Sequence, residues 1–545
     1  ATFLSVGLVV GLFGVNRIIS VPRFFVFWVL LGVLWFFVGI SNDLPRSSSW
    51  LWHFIVWVFG LAAIVVAGLM TDKFGRNQFS ILLAWALMLS SIFQALIGLI
   101  QYYGLLELVF PWANYGGSRF SGTLGQANLT AFSLSLGSLS ALFLLYVRQI
   151  SKIWFCALLG GLIFAIILTG SRTSVIYVAV IFLMSGVLLF SRRGSCRPQI
   201  IFGVGALILI VILGFLFTPT VNNKISEYAS IWVPEKQYGG ETGIERFSDF
   251  SSYERLCEWE KALQFIASGQ VDTLGEGLGS YSSFSFQRDI IEITSCGVNK
   301  MWDNPHNILI TSVIEWGWLG LLVIVLVLSY IAHTFLRQEK DCTWFFSGSA
   351  VLMFFFYSLL EYPLWNLYFL MLFLFFISIL DSRIFVKCSS KFMPRFSSIV
   401  YILAFLAVFY NSVFSYVNIT EIFNKREAGA ASKLTLYSLG SNSLYGGDAV
   451  LVRYYRFLPE PSQISQQISE AKNIFSWQPN PLALTRLVVL GALSPSVDAC
   501  PYFYQLHKKY PRFVNFLESD IALLRGNVFT VEQNINECVF EGENG

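Results

Sequence analysis

The stretch DNPHNILITSVIEWG, residues 303–317, sets His306 behind Pro305, between Asn304 and Asn307, at the mouth of an apolar run. It is one of only four histidines in the chain. An imidazole has an ordinary pKa of about 6.5, so its neutral form accepts a proton at physiological pH. His306 therefore reads either as a helix-start residue or as a proton-handling group. Four further stretches carry polar side chains at the ends of apolar runs. SRFSGTLGQANLTAF, residues 118–132, offers Arg119 and the amides of Gln126 and Asn128, which can donate and accept hydrogen bonds or simply cap a helix. TGSRTSVIYV, residues 169–178, holds Arg172 with no acidic neighbour in sequence. That arginine either snorkels to an interface or grips an anion, because its planar fork matches phosphate oxygens.

In SSYERLCEWEKALQFIASGQVDTLGEGLGSYSSF, residues 251–284, Arg255, Trp259 and Leu263 recur on one helix face. The glycine-rich turn that follows has neither the GK[ST] of a Walker loop nor a preceding strand pattern, which excludes the usual nucleotide-binding motifs. LLEYPLWNLYFL, residues 359–370, sets Glu361, Tyr362 and Asn366 against apolar flanks, although a Tyr-Pro pair also serves as an aromatic anchor. Only Asp303 stands at ligand spacing from His306, so no metal site is expected. A hydrolase triad lacks its G-x-S-x-G elbow. One histidine, two arginines and a few amides suit an acceptor hydroxyl, a proton to remove and a diphosphate leaving group.

The elements that must hold these residues are membrane spans. Of 545 residues, 55% are hydrophobic and 13% charged, with a mean hydropathy of +0.63. Soluble domains carry about 25% charged residues. Apolar runs near residues 2–16, 22–41, 50–70, 78–102, 126–147, 153–169, 174–191, 199–217, 307–335, 344–360, 364–381 and 398–418 predict about twelve transmembrane helices. The predicted fold class is an all-α polytopic membrane protein. The first run lacks a basic start and an A-x-A site, and so does not read as a cleaved signal.

One set of short connections carries Arg17, Arg23, Lys73, Arg76, Arg148, Lys152, Arg192, Arg193, Arg197, Arg337, Lys340, Arg383, Lys387, Lys391 and Arg395. The opposite set carries only Arg46, Arg119 and Arg172. The excess marks the first set as cytoplasmic and puts His306, the insert before it and the polar tail on the outer face. The amino terminus then falls outside as well, which suggests a further span before it. Cys257 and Cys296 share the insert, and Cys500 and Cys538 share the tail, so each segment has an even pair that either forms a disulfide or stays free. In the tail, Ile464, Ile468, Ala471, Ile474 and Phe475 recur at helical spacing and predict stacked helical hairpins with their own core.

In this order, GTLGQANLTA, TGSRTS, the Arg255-to-Trp259 helix followed by GEGLGSY, NPHNILI with EWGWLG, and LEYPLW resemble the bacterial O-antigen ligase and polymerase superfamily. The likeness spans roughly residues 80–380 and is strongest to the protein-glycosylating branch, the pilin-type O-oligosaccharyltransferases. It implies a GT-C-like transmembrane glycosyltransferase that uses no cofactor, metal or nucleotide sugar. The implied donor is an oligosaccharide on undecaprenyl diphosphate, and the implied acceptor is Ser or Thr of an exported, pilin-like protein. Membrane lipids are the remaining partner, with no role for nucleic acid. The implied location is the bacterial inner membrane, with the active site facing the periplasm.

By that match His306 is catalytic and Arg172 and Arg255 bind the diphosphate. Gln126 and Tyr362 fall at further polar positions, with Asn128, Glu361, Arg119 and Asn307 as additional substrate-site candidates. The expected division is an N-terminal transmembrane bundle (1–217), a periplasmic loop with catalytic-site helices (218–305), a C-terminal transmembrane bundle (306–418) and a periplasmic helical domain (419–545). The alternatives are an O-antigen ligase or polymerase that uses lipid A core or a glycan, and a lipid-linked glycan transporter. Against the transporter, no related halves carry paired broken helices.

Overall fold

The computed structural model describes residues 19–41, 47–105, 119–191, 197–232, 253–287, 301–381, 384–388, 393–424, 429–442, 445–457, 459, 463–477, 479–494, 498–510 and 513–514. Its elements are almost all helical. The first half contains α1 (Phe24–Ser41), α2 (Ser47–Phe74), α3 (Arg76–Tyr102), α4 (Ala127–Tyr146), α5 (Lys152–Leu168), α6 (Thr173–Ser191) and α7 (Arg197–Ser230). The insert contributes α8 (Tyr253–Ala267) and α9 (Tyr281–Gln287). Then come α10 (Ile308–Arg337), α11 (Cys342–Ser358), α12 (Leu367–Leu380) and α13 (Met393–Asn424). The tail forms α14 (Ala430–Asn442), α15 (Gly446–Arg456), α16 (Ile464–Trp477), α17 (Pro481–Leu493) and α18 (Cys500–Lys509).

Among the described residues, seven helices are long and apolar enough to cross a membrane: α1 to α4, α6, α7 and α10. The expected spans at 153–169, 344–360 and 364–381 are shorter helices of 17, 17 and 14 residues. The last starts late because Pro363–Trp365 turn as a 3-10 helix before Asn366 caps α12. The expected span at 2–16 lies outside the described residues. In the other direction, α7 runs beyond the expected end at 217 as far as Ser230, and Tyr103 Oη donates to Asn222 at 3.0 Å. The one departure from helices among the described residues is a two-stranded antiparallel ribbon, β1 (Ile19–Pro22) with β2 (Ile384–Cys388). It ties the entry of α1 to the exit of α12, where Asp381 Oδ2 accepts from Phe24 N–H (2.9 Å) and Tyr330 Oη (2.8 Å).

The bundle packs around α4, which is buried on nearly all sides. Small residues make this possible, as they do wherever helices approach closely in lipid. A Cβ on Gly137 would lie 2.3 Å from Ser91 Cβ. Ser135, Ser138 and Ser140 turn their hydroxyls back to carbonyls one turn earlier, leaving no unpaired donor. Near the start of α4, Phe132 meets Tyr177, Phe354, Tyr357 and Phe369 in an aromatic layer.

The glycine-rich turn between α8 and α9 is structural. It fills a break in α10 at Gly317, where φ is +67°. Glu276 N–H donates to Ile314 O at 2.8 Å, and Gly277 N–H to Glu315 O at 3.1 Å. Leu319 N–H returns a bond to Thr273 O. A Cβ on Gly317 would stand 2.3 Å from that Thr273 oxygen, so both the conformation and the space demand glycine.

The tail stripe is its own core. Ile468, Ala471 and Ile474 pack with Val450, Tyr454, Leu487 and Leu490. A second cluster joins the tail to the insert, with Phe286 of α9 buried against Phe475, Leu484 and Phe503. Cys257 and Cys500 are each disulfide-bonded, while their expected partners Cys296 and Cys538 lie outside the described residues.

Candidate active site

His306 ends the loop that enters α10. Asn307 is the N-cap, its side-chain oxygen accepting from Leu309 and Ile310 N–H, which leaves the preceding residue outside the helix. His306 adopts φ +54°, a left-handed conformation that residues with a Cβ seldom hold. Its amide donates to Asn304 Oδ1 at 2.8 Å, and Trp259 Nε1 donates to Pro305 O at 2.6 Å. The imidazole lies between Trp302, edge-on at 5.4 Å, and Tyr362 at 4.9 Å.

Glu361 is the hub. It sits in the turn after α11 and is only 2% exposed. Its Oε2 lies 2.8 Å from His306 Nδ1. Its Oε1 accepts from Arg255 Nη2 at 2.6 Å and from Asn128 Nδ2 at 2.7 Å. Arg255, on α8, also donates to Leu360 O at 3.0 Å. Asn128 Oδ1 in turn accepts from Arg119 at 3.4 Å, and Arg119 Nε donates to Thr169 O at 2.9 Å. Polar groups from five separate motifs thus form one connected network, held by elements whose apolar faces pack elsewhere.

Burial alone would raise the Glu361 carboxyl, but its hydrogen bond with His306 and the charge of Arg255 hold it below the ordinary value of 4.5. A carboxylate can only accept, so a neutral His306 carries its proton on Nδ1 and presents the Nε2 lone pair away from Glu361. A carboxylate on Nδ1 can orient an imidazole in the way the acid of a hydrolase triad orients its histidine.

Arg172, Gln126, Tyr362 and Glu315 are the further polar side chains of these segments. Arg172 is half-buried in the turn that joins α5 to α6, three residues past the Thr169 carbonyl that Arg119 holds. Gln126 supplies the extended N-cap backbone of α4 without a side-chain cap bond. Tyr362 contributes its ring to the face of His306. Glu315 is buried against the glycine-rich turn, where its carboxylate accepts from Tyr281 N–H at 3.4 Å. Sequence reasoning missed Trp302 and the Thr169 carbonyl. An aromatic four residues before a candidate base was the available signal for the first, and nothing in the sequence marked the second.

Below the network lies an apolar cavity of about 410 Å³ between α1, α2, α10, α11 and α12. Trp28, Leu31, Trp35, Phe354 and Phe373 line it. It reaches Ile308 and Thr311, within two turns of His306, and Ser358, Leu364 and Trp365 on either side of Glu361.

Two family models match the chain. One, described as O-Antigen ligase, matches residues 157–325 and takes in Arg172, Arg255 and His306. The other, described as virulence factor membrane-bound polymerase, C-terminal, matches residues 348–499, from Glu361 through most of the tail. No curated protein and no solved structure matches.

Proposed function

Because the chain belongs to the O-antigen ligase and polymerase superfamily, whose members join lipid-linked glycans to acceptors, we propose that it is a protein O-oligosaccharyltransferase. In this reading it moves a preassembled glycan from undecaprenyl diphosphate to Ser or Thr of an exported protein such as a pilin. The observation that carries the reading is the Glu361 network, which joins a base, His306, and a cation, Arg255, above a cavity suited to a polyprenyl chain. The cavity volume falls within the range of about 300–1,000 Å³ typical of ligand sites. It would take only the isoprene units next to the diphosphate.

The acceptor hydroxyl gives its proton to His306 Nε2 as its oxygen attacks the anomeric carbon. The bond from that carbon to the diphosphate breaks, and Arg255 and Arg172 offset the charge that develops on the leaving group. A retaining route needs a carboxylate nucleophile. Both oxygens of Glu361 are already engaged, and Glu315 is buried against the glycine-rich turn, so a single inverting displacement is the simpler course. The disulfide-bonded Cys257 and Cys500 support an oxidising compartment for the insert and tail, and hence a periplasmic site in the inner membrane.

The second reading, a ligase or polymerase with a glycan acceptor, is favoured by the matches to an O-antigen ligase family and a membrane-bound polymerase family. Incubating the purified protein in detergent with the undecaprenyl-diphosphate oligosaccharide and a candidate pilin separates the two. Mass spectrometry of a modified Ser or Thr supports protein transfer. Glycan found only on lipid A core or on a second glycan supports the alternative. No transfer to any of them defeats both.

A further inference from the structure

The loop that presents His306 is fixed at both ends. Ser285 Oγ of α9 accepts from Trp302 N–H at 3.1 Å, and Asn307 caps α10. Between them, the peptide group that joins Pro305 to His306 is gripped at both of its polar atoms. Its oxygen accepts from Trp259 Nε1 at 2.6 Å, and its N–H donates to Asn304 Oδ1 at 2.8 Å. That peptide plane bears on the φ of +54° at His306, a conformation that persists only where neighbours over-determine it. Relaxation to an ordinary φ must either turn the plane and break its bonds, or swing the ring away from Glu361 Oε2.

The indole comes from the helix that also holds the other half of the pair. Trp259 stands four residues after Arg255 on α8, and side chains at that spacing share a face. Arg255 grips Glu361 and the Leu360 carbonyl, while Trp259 grips the peptide before His306. One turn of α8 thus holds both the carboxylate and the backbone of the base. The helix is itself anchored by a buried polar cluster. Lys261 Nζ lies 2.6 Å from Glu258 Oε2 and donates to Ser285 O at 2.9 Å, and Tyr281 Oη donates to Glu258 Oε1 at 3.0 Å. We propose that Trp259 and Asn304 are positioning residues for His306: together they clamp the Pro305–His306 peptide, so that the imidazole keeps Nδ1 against Glu361. The kinetic half of the inference rests on the transfer reading, and the half that concerns the imidazole does not.

The test compares Trp259→Phe, which keeps an aromatic ring but has no N–H, with Asn304→Ala, which frees the other end of the same peptide and leaves α8 untouched. Asn304→Ser restores a weaker acceptor. All are made in the full chain, and transfer is read as kcat and KM separately. The tautomer is read by nitrogen NMR of protein isotope-labelled only at its four histidines, under conditions where the rings are neutral. The His306 signals are those lost in His306→Ala. Trp259→Phe and Asn304→Ala should each lower kcat about three- to tenfold, the scale of one lost hydrogen bond, with KM unchanged. In each, the share of His306 protonated on Nδ1 should fall, and Asn304→Ser should recover part of both losses. Support requires the kinetic and tautomer changes together. A wild-type value of either in a folded Trp259→Phe or Asn304→Ala overturns the proposal, as does a rise in KM alone. Should Trp259→Phe fail to fold, Asn304→Ala decides. If the unaltered chain transfers nothing, the transfer reading has failed and the tautomer decides by itself: loss of Nδ1 protonation in the variants supports the clamp, and an unchanged tautomer overturns it.

Discussion

His306 Nδ1 and Glu361 Oε2 stand 2.8 Å apart, although 55 positions separate the two residues. The carboxylate is buried and carries Arg255 on its other oxygen, so it cannot rotate away without breaking a second charged bond. The tautomer of a neutral His306 is therefore set by this one side chain, while Trp302 and Tyr362 flank the ring.

Replacing His306 by Ala should abolish transfer while leaving the thermal transition nearly unmoved. General acid–base assistance contributes about 10²–10⁴-fold. Turnover near wild type in the purified variant would remove His306 from the mechanism.

Glu361→Gln keeps the shape but loses the charge and the strict preference for one tautomer. A kcat loss of at least about 100-fold is expected, by analogy with the triad acid. Glu361→Ala also strips partners from Arg255, Asn128 and His306. Since Arg255 is 33% exposed, the stability cost should be about 2–3 kcal/mol, below the full penalty for a broken buried pair. A differential scan that shows no difference between the Ala and Gln variants would contradict this account of the network.

The same carboxyl sets an acid dependence. Its folded-state pKa lies below 4.5, so its contribution to stability is fully present above that value and is lost as pH falls through the lower, folded value. The stability gap between wild type and Glu361→Gln should hold steady above pH 4.5 and narrow on acidification below it. Thermal melts across that range are the check, and a gap that widens in acid has the wrong sign.

Arg172→Lys and Arg255→Lys should each weaken donor binding, because an ammonium keeps the charge but not the planar fork. For Arg255 the loss also reaches Glu361 and the Leu360 carbonyl. With these arginines supplying the positive charge, transfer should survive excess EDTA. The product linkage should show the inverted anomeric configuration by NMR. A retained configuration, or a sugar trapped on Glu361, would replace the single displacement with a double one.

Much of the bundle was legible in the sequence because long apolar runs have few ways to satisfy their backbone in lipid. The starts of α3, α4, α6, α10 and α11 fall within two residues of where the runs begin. Where the reading slipped, local turn chemistry intervened, as at Pro363–Trp365 before α12. The site was legible only as a set of candidates. Glu361 meets residues 233, 106 and 55 positions away, and no spacing rule reaches that far. The glycine-rich turn could be excluded as a nucleotide loop from its pattern, but its place inside α10 depends on packing that only the fold reveals. Gly317 within EWGWLG was the one local hint of a break.

That break has a mechanical consequence. An unbroken helix of 30 residues would be a rigid rod of about 45 Å, coupling His306 to the opposite membrane surface. The interruption at Gly317 turns the rod into two levers that meet at a joint, and the turn carrying Gly275 and Gly277 is the bearing in that joint. The segment that presents the imidazole is held to the insert at Ile314 and Glu315, and the segment beyond the break at Leu319. The position of His306 is thereby referred to the insert rather than to the far end of α10.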